Sequence, residues 1–99
     1  MTINIKIHGI NWDEGNWPKC AKHGVSKKEI EYLFTELGNL VIKNDPNVKE
    51  ERFRAIGRSY NKRYIFLVFT LRTIKNELFV RPISARYMHQ KEIDFYENL

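Results

Sequence analysis

The chain has 99 residues, of which 42% are hydrophobic and 29% charged, and a formal net charge of +5. That size and balance fit one folded domain, expected to span residues 1–99, and exclude an intrinsically disordered chain. A single cysteine excludes an intramolecular disulfide framework, and the longest apolar run, Tyr64 to Phe69, is far shorter than the ~20 residues of a membrane-spanning helix.

Ile3, Ile5 and Ile7 alternate with Asn4, Lys6 and His8, which predicts a short half-buried strand closed by Gly9. Asn16-Trp17-Pro18 predicts a helix start, and Gly24 a C-terminal cap that keeps this helix short. Ser26-Lys27-Lys28-Glu29 has the form of a capping box, in which each end residue satisfies the other's backbone N–H. Ile30, Leu33, Phe34 and Leu37 then line one helix face, with Gly38 at its end. Leu40 to Ile42 is a strand candidate, and Asn44-Asp45-Pro46-Asn47 is turn chemistry.

Residues 51–59 alternate and predict a strand in which Gly57 marks a bulge or a close backbone approach. Tyr60 to Arg63 connects it to Tyr64–Leu71, a β-branched and aromatic run with the pattern of a central strand. Thr73–Asn76 turns into a strand over Glu77–Arg86, where Pro82 requires an edge or a bulge. Met88 to Leu99 predicts a closing helix. The expected class is therefore α+β: two N-terminal helices, an antiparallel sheet of about four strands, and a C-terminal helix.

The charge is unevenly distributed. Between Arg52 and Arg86 lie nine basic residues and one acid, Glu77, a local charge of +8 against −3 for the remainder. Seven of the nine are arginine, whose planar fork suits phosphate and stacks on bases, so an anionic partner is expected, nucleic acid first. Strand alternation places Arg52, Arg54 and Arg58 on one face; a bulge at Pro82 leaves open whether Arg81 or Arg86 joins them. A solvated basic sheet face would have the same pattern.

His23, beside Lys22 at a helix end, is either an acid–base group or a C-terminal cap, and His89 is a second acid–base candidate. Cys20-x-x-His23 offers two ligands where a metal site needs more, and Cys20 lies in no nucleophile signature. Trp12 and Trp17 are expected in packing roles. The chain contains no phosphate-binding loop, dinucleotide fingerprint, HExxH or GxSxG, so neither cofactor nor metal is expected. With no contiguous apolar stretch in Met1–Glu14, no secretory signal is visible and a cytoplasmic location is expected.

The blocks Trp12-Asp13-Glu14-Gly15-Asn16-Trp17-Pro18-Lys19-Cys20 and Lys22-His23-Gly24-Val25-Ser26 resemble the N-terminal signature of the BrnT family of type II toxins. Glu51-Arg52-Phe53, Ala55-Ile56-Gly57-Arg58, Val68-Phe69-Thr70 and Arg81-Pro82-Ile83-Ser84-Ala85-Arg86 match later blocks in order. After Arg86 the chain reads Tyr87-Met88-His89-Gln90-Lys91-Glu92 where many members are arginine-rich, which marks a divergent branch. The resemblance implies a RelE-like fold and RNA cleavage that halts translation. It also implies neutralisation by a BrnA-type antitoxin with a ribbon-helix-helix DNA-binding domain; a homodimer is compatible with it.

Metal-independent RNA cleavage needs a 2′-hydroxyl deprotonated, a phosphate stabilised and a 5′-oxygen protonated. On this reading Arg52, Arg58 and Arg86 serve the phosphate, with Arg81 in reserve. His23, tuned by Lys22, is the acid or base, and Glu51 a further candidate. Arg54, Arg63 and His89 bind RNA, with His89 and Tyr96 as local substitutes for the acid–base group. The alternative is a non-catalytic module on the same fold that binds RNA or the antitoxin.

Overall fold

A computed structural model describes residues 7–35, 38, 40–44 and 52–97. The predicted positions Ile3, Ile5, Leu37, Asp45 to Asn47, Glu51 and Leu99 lie outside the described residues. The elements run β1 (Gly9–Ile10), a 3-10 helix (Lys19–His23), α1 (Lys27–Leu33), β2 (Val41–Asn44), β3 (Phe53–Arg58), β4 (Tyr64–Ile74), β5 (Glu77–Tyr87) and α2 (Gln90–Glu97).

The strands form one sheet in the order β1-β5-β4-β3-β2, with β4 central as its apolar run predicts. All neighbours are antiparallel except β1, which pairs parallel to β5 through Gly9 opposite Phe79 and Ile10 opposite Val80. This corrects the expected architecture. Among the described residues the sheet has five strands and is mixed, and only one α-helix precedes it. The expected first helix is a single 3-10 segment, stopped by Gly24 at φ 87° with its N–H donated to the Ala21 carbonyl.

The capping box forms as predicted: the Ser26 hydroxyl accepts from the Glu29 N–H, and the Glu29 carboxylate accepts from the Ser26 N–H. From there α1 lays Ile30 and Leu33 on the sheet, where they join Ala55, Ile65, Leu67, Phe69, Val80 and Ala85 in the core. Phe34 meets Phe69 edge-on, and Phe53 stacks on it at 5.4 Å. Trp12 and Trp17 pack edge to face against this core, with the Lys27 ammonium over both rings. No helix among the described residues is long and apolar enough to cross a membrane.

Two backbone features set the shape of the sheet. The β4–β5 hairpin turns at Lys75 and Asn76, both at positive φ, the two-residue geometry that matches strand twist. Further along, the register slips by one residue: Val68 pairs with Ser84 but Phe69 with Pro82, so Ile83 is a bulged extra residue. Proline has no N–H to donate, and the slip falls beside it. The adjacent Pro82 carbonyl accepts from the buried Asn16 side-chain amide at 3.0 Å; the same amide donates to Asn11 and accepts from Asp13 N–H. One buried asparagine thus fastens the N-terminal segment to β5.

Gly57 proves to be a close approach. A methyl group there would sit 2.9 Å from the Leu33 side chain and 3.1 Å from the Gly38 carbonyl oxygen. Gly57→Ala is expected to lower stability by about 1–3 kcal/mol through overpacking between β3 and the end of α1, read as a lower urea midpoint with an unchanged slope.

Candidate functional site

The sheet face away from α1 carries the positive charge. On β3 it presents Arg54 and Arg58, in rows with Val68 and Tyr64 of β4. On β5 the bulge resets the alternation, so Val80 and Pro82 point into the core before it and Ala85 after it. Arg81 and Arg86 therefore share this outer face, Arg81 opposite Thr70 and Arg86 opposite Phe66. This answers what alternation alone left open. Arg52, half-buried, lies one residue ahead of β3 and in phase with Arg54.

Aromatic side chains separate the arginines. The Arg58 guanidinium lies 5.4 Å from the Tyr64 ring centroid and that of Arg86 4.8 Å from Phe66, both cation–π distances. Each of these two guanidinium groups thus lies over a ring. Arg86 and Arg58 occupy adjacent rows two strands apart, a backbone separation of about 12 Å.

The end of this face is crossed by α2. Glu92 accepts from Arg86 through both terminal nitrogens, at 2.7 and 2.8 Å, and from the His89 backbone N–H at 2.9 Å. The Arg86 pair, and then the His89 N–H, hold the Glu92 carboxyl down at about 2, while Glu92 pushes the Arg86 guanidinium pKa up. Tyr96 meets Tyr64 edge-on at 5.9 Å. No residue of α2 is fully buried, and this ion pair and ring contact tie it to the strands. The contacts thus join Arg58 with Tyr64 and Tyr96, and Arg86 with Glu92 and the His89 backbone.

Arg81 is engaged elsewhere. Its guanidinium donates to Asp13 at 2.9 Å, and Arg72 approaches the same carboxylate at 3.5 Å. The Gly15 N–H and then Arg81 hold the Asp13 carboxyl below its ordinary range. Together they clamp the N-terminal segment across β5.

Lys22 and His23 are exposed at the end of the 3-10 helix. The carbonyl of the following Gly24 lies 3.5 Å from the Tyr87 hydroxyl, and Tyr87 pairs with Ile65 on the α1 side of the sheet. Arg63 stacks over Tyr87 with its guanidinium 3.4 Å from the ring centroid. These three predicted residues are therefore divided from Arg58, Arg86 and His89 by the sheet. On that side of the sheet lies Glu29, whose carboxylate accepts from Tyr87 at 2.8 Å, from Ser26 at 3.1 Å and from Asn61 at 3.4 Å. Burial pushes the Glu29 carboxyl up, but these hydrogen bonds outweigh it and leave it below the usual range. Burial, with Glu29 beside it, pushes the Tyr87 phenol up. Cys20 is buried and its thiol pushed up by desolvation, the reverse of an activated nucleophile. Among the described residues, no three His, Cys, Asp or Glu side chains form a metal-sized group.

Glu92 was the residue that sequence reasoning missed. Its signal lay in the spacing: His89 precedes the first turn of α2 and Glu92 is the third helical residue, one half of a capping box.

The sheet thus has one apolar face under a helix and one cationic, aromatic-laced face. Residues 12–92 match the family described as the ribonuclease toxin, BrnT, of type II toxin-antitoxin systems. The match spans most of the chain, and the chain belongs to this family. No curated protein matches it. Membership of a type II toxin-antitoxin family implies a protein antitoxin as partner.

Because the folded Glu92 carboxyl titrates at about 2 against an ordinary 4.5, its contribution to stability is complete above about 4.5 and is lost as pH falls toward 2. Glu92→Gln removes that dependence. Unfolding midpoints measured across this range are expected to fall more steeply for the unmodified chain than for the variant.

Proposed function

We propose that this chain is a metal-independent endoribonuclease whose reacting surface is the outer sheet face beneath α2. The observation that carries this is the placement of Arg58 and Arg86 in adjacent rows, each beside an aromatic ring, with the His89 backbone N–H held by the same carboxylate as Arg86. An RNA phosphate entering here displaces Glu92 from Arg86, exchanging one charge-assisted bidentate pair for another. Arg58 and Arg86 then stabilise the charge that grows on the non-bridging oxygens as the 2′-oxygen attacks phosphorus.

His89 moves one of the two protons, as base toward the 2′-hydroxyl or as acid toward the departing 5′-oxygen, and solvent water takes or supplies the other. The products are a 2′,3′-cyclic phosphate and a 5′-hydroxyl, with no change in oxidation state. Arg52 and Arg54 extend the cationic track, and Arg81 supports it from its clamp on Asp13. Lys22, His23 and Arg63, on the far side of the sheet, are left outside the reacting group. The chain acts as one domain in the cytoplasm, and a BrnA-type antitoxin with a ribbon-helix-helix domain neutralises it.

A second reading, a binding module without catalysis, is favoured by one observation: Arg86 and Arg81 are each already neutralised by an acid of the same chain. The two readings differ in what they do to RNA. The first yields cyclic-phosphate ends in the presence of EDTA; the second leaves RNA intact but retains it at low salt.

Arg58→Ala and Arg86→Ala are each expected to slow cleavage by about five- to 150-fold, the equivalent of ~1–3 kcal/mol of transition-state stabilisation. His89→Ala is expected to lower kcat by about 100- to 10,000-fold, while His23→Ala stays near the unmodified rate. Single-turnover assays on labelled RNA check all four; an inert His89→Ala together with a dead His23→Ala would reverse the assignment.

A further inference from the structure

A cavity of about 560 Å³ opens between α2 and the outer sheet face. Its floor is a single row running across three strands: Val41 of β2, Ile56 of β3 and Phe66 of β4. The next residue in that row, on β5, is Arg86. Phe95 and Tyr96 of α2 form the wall, and Phe95 is 72% exposed, unusual for a side chain of its size. Lys43, Arg54 and Lys91 stand around the mouth. Glu92 also lines the cavity, paired with Arg86 until a phosphate takes its place there.

We infer that this cavity is a nucleobase pocket: one unpaired base of single-stranded RNA enters it, stacked against Phe95, with its flanking phosphates on the cations of the mouth. The inference rests on the reading of RNA as substrate and adds the subsite that holds it. An apolar, aromatic floor and wall under a cationic rim complements a ligand that is flat and apolar at one end and anionic at the other. The volume falls within the range of about 300–1,000 Å³ for small-ligand pockets, which suits one base and is small for a docking helix. Because floor and Arg86 share a row, a base seated here brings the neighbouring phosphate toward Arg86. Stacking on an exposed aromatic tolerates any base, so the pocket contributes affinity and register more than sequence choice.

The test uses two 2′-O-methyl oligomers of equal length, which resist cleavage by attack of the 2′-oxygen: one with bases and one abasic with the same phosphates. Fluorescence anisotropy is read for the unmodified chain, Phe95→Ala and Phe95→Tyr. The base-bearing oligomer is expected to bind the unmodified chain at least tenfold more tightly than the abasic one. Phe95→Ala loses about tenfold on the base-bearing oligomer and nothing on the abasic one, and Phe95→Tyr keeps the preference. Equal binding of both oligomers by the unmodified chain, or an unchanged preference in Phe95→Ala, overturns the pocket while leaving the RNA reading standing. Failure of both oligomers to bind at low salt overturns the pocket and the RNA reading together. A Glu- and Leu-rich synthetic peptide that loses affinity in Phe95→Ala, while the oligomers do not, overturns the pocket in favour of a protein-docking site.

Discussion

The arrangement of this molecule depends on one extra residue in β5. The bulge at Ile83 lets Val80 and Pro82 fill the core on one side of it and Ala85 on the other, although their spacing in a regular strand would turn one group outward. The same reset turns Arg81 and Arg86 to a common outer face. Without it, a strand that kept Ala85 in the core would bring Arg81 inward, an unacceptable burial of charge. Pro82 cannot supply a ladder hydrogen bond, and the Asn16 amide takes its carbonyl, so the irregularity is fixed from both sides. Core and candidate site are thus two consequences of a single register shift.

The outer face is also electrostatically restrained. Asp13 engages Arg81 and Arg72 from the N-terminal segment, while Glu92 engages Arg86 from α2. Both acids come from outside the strands they neutralise, and both are partly open to solvent, where ion pairs are weak enough to exchange. A phosphate offers Arg86 the same bidentate geometry as the carboxylate it replaces. In the proposed function α2 therefore occupies the site in the resting molecule and also frames the pocket beside it.

Local signals in the sequence located most elements. The Ser26–Glu29 capping box, the αL cap at Gly24, the central run of β4 and the hairpin after Thr73 each depend on a few adjacent residues, and each was legible. The parallel pairing of β1 was not, because a two-residue strand beginning at a glycine carries no periodicity. Nor was the 3-10 form of the first turn, or the end of α1 at Leu33, where Gly38 packs so closely that a methyl group would meet the Leu33 carbonyl oxygen at 2.6 Å. The arginine face was legible along β3 by alternation and ambiguous along β5, where the bulge decides it. Which histidine accompanies the arginines depends on the side of the sheet each loop returns to, a property of topology. Local pattern put weight on His23; in the fold the His89 backbone N–H shares the Glu92 carboxylate with Arg86.

The proposed function requires RNA to engage the outer face under α2. The most direct measurement is an NMR titration of the isotopically labelled chain with a short 2′-O-methyl RNA. Shifts are expected to concentrate at Arg58, Tyr64, Arg86, His89 and Phe95, with Lys22, His23 and Arg63 unmoved. Shifts confined to Lys22, His23, Arg63 and Tyr87 would contradict it and move the site to the α1 side of the sheet.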